Sequence, residues 1–214
     1  MLEIPASVLW LGLGYLVGGI PAAYLFGRWR GHDLLASGNG TPGSHAVAET
    51  LGLGAALFTG ALDLAKGLLV VWLAQRTGAQ PLVADLAGVA AVVGHIWSPY
   101  LRLRGGRGLV TALGVALYLA PWELLAGGTF LLLSKVFLRD AAPGAFVGVL
   151  AVAAGTWLLQ EPDHVRLTIA LLCAVIFVAR LVGPRRDDLL RRYGRVPRSP
   201  SVLFARLIWD RDVR

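Results

Sequence analysis

Residues 51–74 read LGLGAALFTGALDLAKGLLVVWLA, twenty-four positions of which only Asp63 and Lys66 carry charge. As a helix this run is about 36 Å long, enough to cross a hydrocarbon core of about 30 Å. Asp63 and Lys66 lie three positions apart, one helical turn from each other, so each can neutralise the other inside the membrane. Outward from this stretch, apolar runs recur at 5–26, 82–100, 109–120, 122–138, 142–160 and 165–182. The run 109–120 is short for a crossing unless it begins within the preceding glycine loop or tilts against neighbours, and Pro121 leaves open one longer, kinked helix with the run that follows. The expected fold is all-α: a polytopic integral membrane protein with about seven transmembrane helices. Composition agrees, since a 214-residue chain that is 56% hydrophobic and only 15% charged, with mean hydropathy +0.65, holds more apolar surface than one soluble core can bury. The stretch from Ile4 to Phe26 is preceded by Glu3 and by no Lys or Arg. It is longer than a signal-peptide core and reads as a retained first span.

Charge sets the expected orientation. The formal net charge is +7, and from Arg180 to Arg214 ten Arg against four Asp give +6, so nearly all the excess is in the tail. On a membrane protein such a cluster marks a cytoplasmic segment beside anionic lipid headgroups rather than a nucleic-acid site. Arg28 and Arg30, then Arg102, Arg104 and Arg107, then Lys135 and Arg139, and finally the tail fall on alternate loops; the loops between carry Arg76, Arg166, Glu161 and Asp163. The positive-inside pattern places the N-terminus outside and the C-terminus in the cytoplasm. It divides the chain into a transmembrane domain, 1–182, with cytoplasmic loops 27–50 and 101–108, and a basic tail, 183–214. Within the tail, SVLFARLIW (201–209) suits a short amphipathic helix at the interface. The single cysteine, Cys173, supports neither a disulfide within the chain nor a thiolate metal site.

Two loops on the expected cytoplasmic face carry the candidate chemistry. Ser37-Gly38-Asn39-Gly40-Thr41-Pro42-Gly43-Ser44 opens toward a helix beginning near Ala46–Leu51, an arrangement that suits anion binding but also an ordinary turn-rich connector. Gly105-Gly106-Arg107-Gly108 sets an obligate cation among glycines, suited to gripping a phosphate with backbone amides completing the cradle, or to a basic anchor on a flexible turn. Lys66 either pairs with Asp63 or leans toward the headgroups as part of an anion site. His95, at the end of the run 82–100, is a structural hydrogen-bonder or a general base. His32, His45 and His164 lack metal-ligand spacing, and no metal is expected. No nucleophile elbow, HExxH or P-loop lysine is present in the sequence. Asp187 and Asp188 read as salt-bridge partners of Arg185, Arg186, Arg191 and Arg192.

The order of these features resembles the bacterial membrane glycerol-3-phosphate acyltransferases that use acyl phosphate as donor. The matching segments are GYLVGGIPAAYLFGR (14–28), SGN (37–39) followed by TLG (50–52), ALDLAKG (61–67) and GHIWSPYLRLRGGRG (94–108) running into LVTALGV (109–115). The resemblance implies seven spans with the loops in the cytoplasm of the bacterial inner membrane. It also implies transfer of a fatty acyl group from acyl phosphate to glycerol 3-phosphate, giving lysophosphatidic acid, without cofactor or metal. It places Ser37, Gly38 and Asn39 in one phosphate site and Gly105, Gly106, Arg107 and Gly108 in a second. With the reading of the residues themselves, the candidate catalytic residues are Ser37, His95 and Arg107 and the candidate substrate contacts are Gly38, Asn39, Gly43, Ser44, His45, Lys66, Gly105, Gly106 and Gly108, with the base open among His95, His45 and a substrate phosphate oxygen. The chain departs from the family pattern in the first loop, where alignment on TLG puts Ala46 at the usual Asn and Glu49 at the usual Arg, and in the second, where Arg107 replaces Lys. The family's His and Asn after the last span have no counterpart in 180–192. Two further readings stay open: a catalytically silent relative that binds phospholipid or a membrane enzyme, and a small transporter using Asp63 and Lys66 as a relay.

Overall fold

A computed structural model describes residues 5–36, 42–182 and 207–208, with only the backbone of His45. All regular structure among them is helical: α1 Ala6–Gly19, α2 Ala22–Trp29, α3 Ser44–Leu51, α4 Leu53–Arg76, α5 Pro81–Ile96, a 3-10 turn Pro99–Leu101, α6 Leu109–Leu119, α7 Pro121–Phe137, α8 Ala142–Leu158 and α9 Asp163–Val182. Among the described residues, four stretches are long and apolar enough to cross a membrane, Ala6–Trp29, Leu53–Arg76, Pro81–Leu101 and Asp163–Val182; Leu109–Leu119 and Ala142–Leu158 are apolar but shorter. Pro121 opens α7, separated from α6 by Ala120 in non-helical backbone (φ −144°, ψ 60°).

The chain divides into two compact units, Met1–Leu119 and Ala120–Arg214. In the first, α5 packs along α1, α4 packs on α5 and α6, and α2 and α3 lie against α4. The polarity of α4 is reversed relative to a soluble helix. Leu53, Leu57, Leu62, Leu69 and Trp72 are exposed, whereas Thr59, Asp63, Lys66, Val70 and Ala74, at helical spacing, are buried. An apolar outer face of that extent is solvated by lipid, and the polar groups face protein. The seams are made by glycine, since without a strong hydrophobic drive between helices in lipid, close backbone approach supplies the attraction. A Cβ at Gly18 would stand 2.0 Å from the Ala91 carbonyl oxygen, and one at Gly67 would stand 2.1 Å from that of Thr111. We expect Gly18→Val to destabilise the protein by about 3 kcal/mol, because the obstructing atom is backbone and cannot rotate away. Thermal unfolding in a fixed detergent checks this, and an unshifted midpoint would refute the α1–α5 seam.

The run 5–26, expected as the first span, corresponds to the span-length stretch Ala6–Trp29, and the helix breaks inside it. Pro21 has no N–H to donate, and Ile20 takes extended backbone (φ −56°, ψ 115°) before α2 begins. The break leaves the carbonyls of Gly18 and Gly19 short of helical donors at membrane depth, where each must find another, while Ile20 O accepts from Ala22 N at 3.0 Å. Lys66 Nζ donates to Gly18 O at 3.1 Å and to Ile20 O at 2.7 Å, and Ser98 Oγ donates to Gly19 O at 2.6 Å. The glycine-rich loop opens into helix as expected, but α3 starts at Ser44 and is split from α4 by Gly52, whose left-handed φ of 87° favours glycine.

In the second unit α7 packs on α8 and α8 on α9. Ser134 Oγ ties the α7–α8 turn, donating to Asp140 O at 2.6 Å and accepting from Gly144 N at 3.0 Å. At the start of α9, Arg166 pairs with Asp163 at 2.7 Å and stacks on Trp157. Glu123, which the sequence reading did not single out, is buried with its side chain filling the space beside Gly155. Apart from Leu207 and Ile208, the expected tail and its 201–209 helix lie outside the described residues, as do Asp187, Asp188 and their arginines.

Candidate active site

Residues 97–108 turn back over the end of α5 and hand the chain to α6. Trp97 O accepts from Tyr15 OH at 2.8 Å and Ser98 is anchored to Gly19, so the loop is pinned to α1 and to its break. Arg102 and Leu103 take left-handed backbone (φ 52° and 64°), and Leu103 N donates to Ser98 O at 2.8 Å to close the turn. Gly105 N then donates to Ile96 O at 3.0 Å and Gly106 N to His95 O at 3.1 Å. These two amides therefore cap the last turn of α5 rather than reaching outward as the expected phosphate cradle. The reason for glycine is proximity: a Cβ at Gly105 would stand 1.9 Å from His95 O, and one at Gly106 would stand 2.3 Å from His95 Nε2. Gly108 (φ 74°) provides the carbonyl for the first bond of α6, to Ala112 N at 2.8 Å. The first-turn amides of α6 follow Arg107 directly, a helix N-terminus suited to anions. Arg107 is half-buried, while Arg102 and Arg104 are exposed.

Beneath the loop lies a cluster contributed by two helices. Asp63 Oδ1 is 2.8 Å from Lys66 Nζ and 3.6 Å from His95 Nδ1, the latter just beyond direct hydrogen-bond length. Lys66 has three N–H donors, and the two carbonyls at the break together with Asp63 supply three acceptors. The structure thus places Lys66 as a tie between α4 and the α1–α2 break, with its ammonium already engaged. A narrow cleft is lined by Gly19, Ile20, Pro21, Ala22, Ala23, Pro42, Asp63, His95, Gly105 and Gly106, with free space of about 10 Å³, room for about one water molecule.

Pro42 in that lining shows that the two candidate loops converge, since it directly follows the segment 37–41. Ser37, Gly38 and Asn39 themselves lie outside the described residues. The chain leading to them is ordered by Asp33, whose Oδ1 accepts from Leu35 N at 3.0 Å and Ala36 N at 3.3 Å, over a fully buried Leu34. On the far side, Gly43 caps α3 and Ser44 is its first residue; of His45 only the backbone is described. Glu49 is exposed on α3 and Ala46 is half-buried. Ser98 and Tyr15 are not singled out by the sequence, and Asp63 is read there only with Lys66, as its ion-pair partner or as a relay, not beside His95. The sequence signal for Ser98 is the Gly-Gly-Ile-Pro break, which demands donors without saying which ones come.

Lipid-facing helices around a buried Asp–Lys–His cluster, with the glycine-rich basic loop 101–108 turned back over it, define an integral membrane protein of the polytopic α-helical class. The family model described as glycerol-3-phosphate acyltransferase matches residues 8–185. The chain is 36% identical to glycerol-3-phosphate acyltransferase 4 of Dehalococcoides mccartyi (strain CBDB1), over 98% of this chain and 91% of that protein. It is 38% identical to glycerol-3-phosphate acyltransferase 1 of Deinococcus radiodurans, over 87% and 91%, and 40% identical to the glycerol-3-phosphate acyltransferase of Symbiobacterium thermophilum, over 81% and 87%. The chain belongs to the glycerol-3-phosphate acyltransferase family and is a multi-pass membrane protein. The fold is that of the crystal structures of the integral membrane acyltransferase PlsY (YgiH), in its glycerol 3-phosphate form (TM-score 0.75, 22% identity, 92% of this chain and 96% of that one) and its lysophosphatidic acid form (TM-score 0.74, 20% identity, 93% and 98%).

Proposed function

We propose that the chain transfers a fatty acyl group from acyl phosphate to glycerol 3-phosphate, forming lysophosphatidic acid for phospholipid synthesis at the inner leaflet of the bacterial cell membrane. The observation that carries this is the convergence of the two candidate loops, with Pro42 and Gly105–Gly106 lining one cleft over His95. Both substrates are phosphates, so the reaction needs anion grips and alignment more than an enzyme nucleophile. Arg107 and the first turn of α6 supply one grip, and Ser37, Gly38 and Asn39 with Gly43, Ser44 and His45 supply the other. Gly105, Gly106 and Gly108 shape the loop that presents Arg107. Lys66 acts by holding the α1–α2 break in place. The transmembrane domain 1–182 is oriented with its N-terminus outside, and the basic tail 183–214 lies in the cytoplasm against anionic lipid.

Purified protein in detergent, given acyl phosphate and labelled glycerol 3-phosphate, should form labelled lysophosphatidic acid. Folded protein that forms none across several chain lengths and donors would overturn the proposal. It would support the second reading, a binding relative without turnover, which Glu49 favours by placing a carboxylate where the family usually has Arg.

A further inference from the structure

Toward the end of α7 the seam with α8 is closed at its floor and open above it. A Cβ at Gly144 would stand 2.4 Å from Phe130 O, so the two helices touch there at backbone. Above that contact Phe130, Leu133, Phe137, Leu138, Pro143 and Val147 line an open groove with free space of about 280 Å³. A cavity of roughly 150 Å³ lined by such side chains already holds a benzene ring. The lining residues 130, 133, 134 and 137 recur at helical spacing, so the groove follows about 10 Å of the α7 axis, most of the depth of one hydrocarbon leaflet of about 15 Å. Its one polar side chain, Ser134, is already committed, donating to Asp140 O and accepting from Gly144 N. The groove therefore suits a hydrocarbon chain and offers nothing to a sugar or a free phosphate.

Charge at its open end narrows the occupant further. From Leu124 to Gln160 the charged residues are Lys135, Arg139 and Asp140. Lys135 is one helical turn from Leu138 in the lining, and Arg139 follows Leu138 directly. Both cations are exposed and make no ion pair among the described residues. Asp140 Oδ1 is drawn into the turn, accepting from Ala142 N at 2.9 Å. An apolar groove ending at two such cations is complementary to an amphiphile with an anionic head. A second copy docked through a two-fold axis here would set its own Lys135 and Arg139 beside these, like charge against like.

We infer that the α7–α8 groove is a binding site for one anionic phospholipid of the surrounding membrane, with an acyl chain along Phe130–Phe137 and the headgroup phosphate on Lys135 and Arg139. The lipid is a bound partner and not a substrate, so the inference stands apart from the acyltransferase reading. It also differs from attraction of anionic lipid to the basic tail, which fixes no chain in one place.

The test places the full-length protein in phosphatidylcholine nanodiscs with a trace of phosphatidylglycerol carrying a photoactivatable acyl chain. A parallel sample carries the same chain on phosphatidylcholine, and adducts are mapped by peptide mass spectrometry. Adducts from phosphatidylglycerol within 130–138 and 143–147 should exceed those from phosphatidylcholine by about tenfold or more, since each basic residue beside an anionic headgroup contributes about fivefold. Lys135→Gln with Arg139→Gln, both at exposed positions, should bring the two lipids within about threefold of each other. Lys135→Arg with Arg139→Lys keeps both charges and should keep the preference. Val147→Trp, which fills the groove from an exposed position, should lower groove adducts from both lipids. Equal labelling by the two lipids in the wild type would mean ordinary annular lipid and would overturn the inference. So would a preference that survives loss of both cations, or an unlabelled groove, which in a dimeric protein would assign the surface to a second copy.

Discussion

Arg107→Ala is expected to lower kcat/KM by about 10²–10³-fold, the size of effect seen when one preorganised donor to a developing charge is removed. The position supports a loss of function without a loss of fold. Arg107 is half-buried at the end of a loop whose shape is set by other groups: the Gly105 and Gly106 amides on α5, Ser98 on Gly19 and Gly108 on α6. The loop therefore does not depend on Arg107 for its shape, and the thermal midpoint of Arg107→Ala, read beside its activity, separates a loss of turnover from a loss of fold. Arg107→Lys keeps the charge and restores the residue usual in the resembling family, while giving up the planar fork. It should recover most of the activity. Steady-state kinetics on the three proteins decide the matter. If Arg107→Ala turns over at the wild-type rate, the phosphate grip lies elsewhere.

The helices themselves were readable because lipid imposes a length and a hydropathy that each run either meets or fails. The ends of α4, α8 and α9 fall within two residues of the runs 51–74, 142–160 and 165–182. What could not be read was which polar groups answer each other across the fold. Lys66 looked like a candidate anion contact because a lysine in a span must have some partner, but carbonyls released 46 and 48 residues earlier are invisible to helical spacing. Pro21 was in view, and a proline after two glycines within an apolar run signals a break. The break in turn calls for a buried donor, and Lys66 and Ser98 are the donors that meet it. Gly105 and Gly106 carried the opposite ambiguity. Glycines in a basic loop suit both amide donation to a phosphate and close backbone contact, and only the position of His95 shows that contact decides. Asp63 beside His95 joins the turn partner of Lys66 to the last turn of another helix, a tertiary fact that neither segment encodes alone.

Lys66→Met should destabilise the protein by about 3–5 kcal/mol, since removing one member of a buried pair leaves the other as an uncompensated charge. Here the loss has two parts. Asp63, with its side chain 3% exposed, would keep only the imidazole 3.6 Å away, and the Gly18 carbonyl would lose its side-chain donor inside a membrane span, while the Ile20 carbonyl would keep only Ala22 N. Asp63→Asn combined with Lys66→Met removes the stranded charge but does not restore a donor to the Gly18 carbonyl, so the double variant should fall between Lys66→Met and wild type. Thermal or SDS-induced unfolding in one detergent measures both. The same pair separates the two roles the lysine could have. A lysine that gripped substrate phosphate would, when replaced, raise KM for glycerol 3-phosphate and leave the unfolding midpoint in place. A lysine that ties α4 to the break lowers the midpoint, and its effect on KM is no larger than the loss of folded protein explains. An unmoved midpoint with a raised KM would return Lys66 to the substrate site and remove the physical reason given for the bend at Ile20–Pro21.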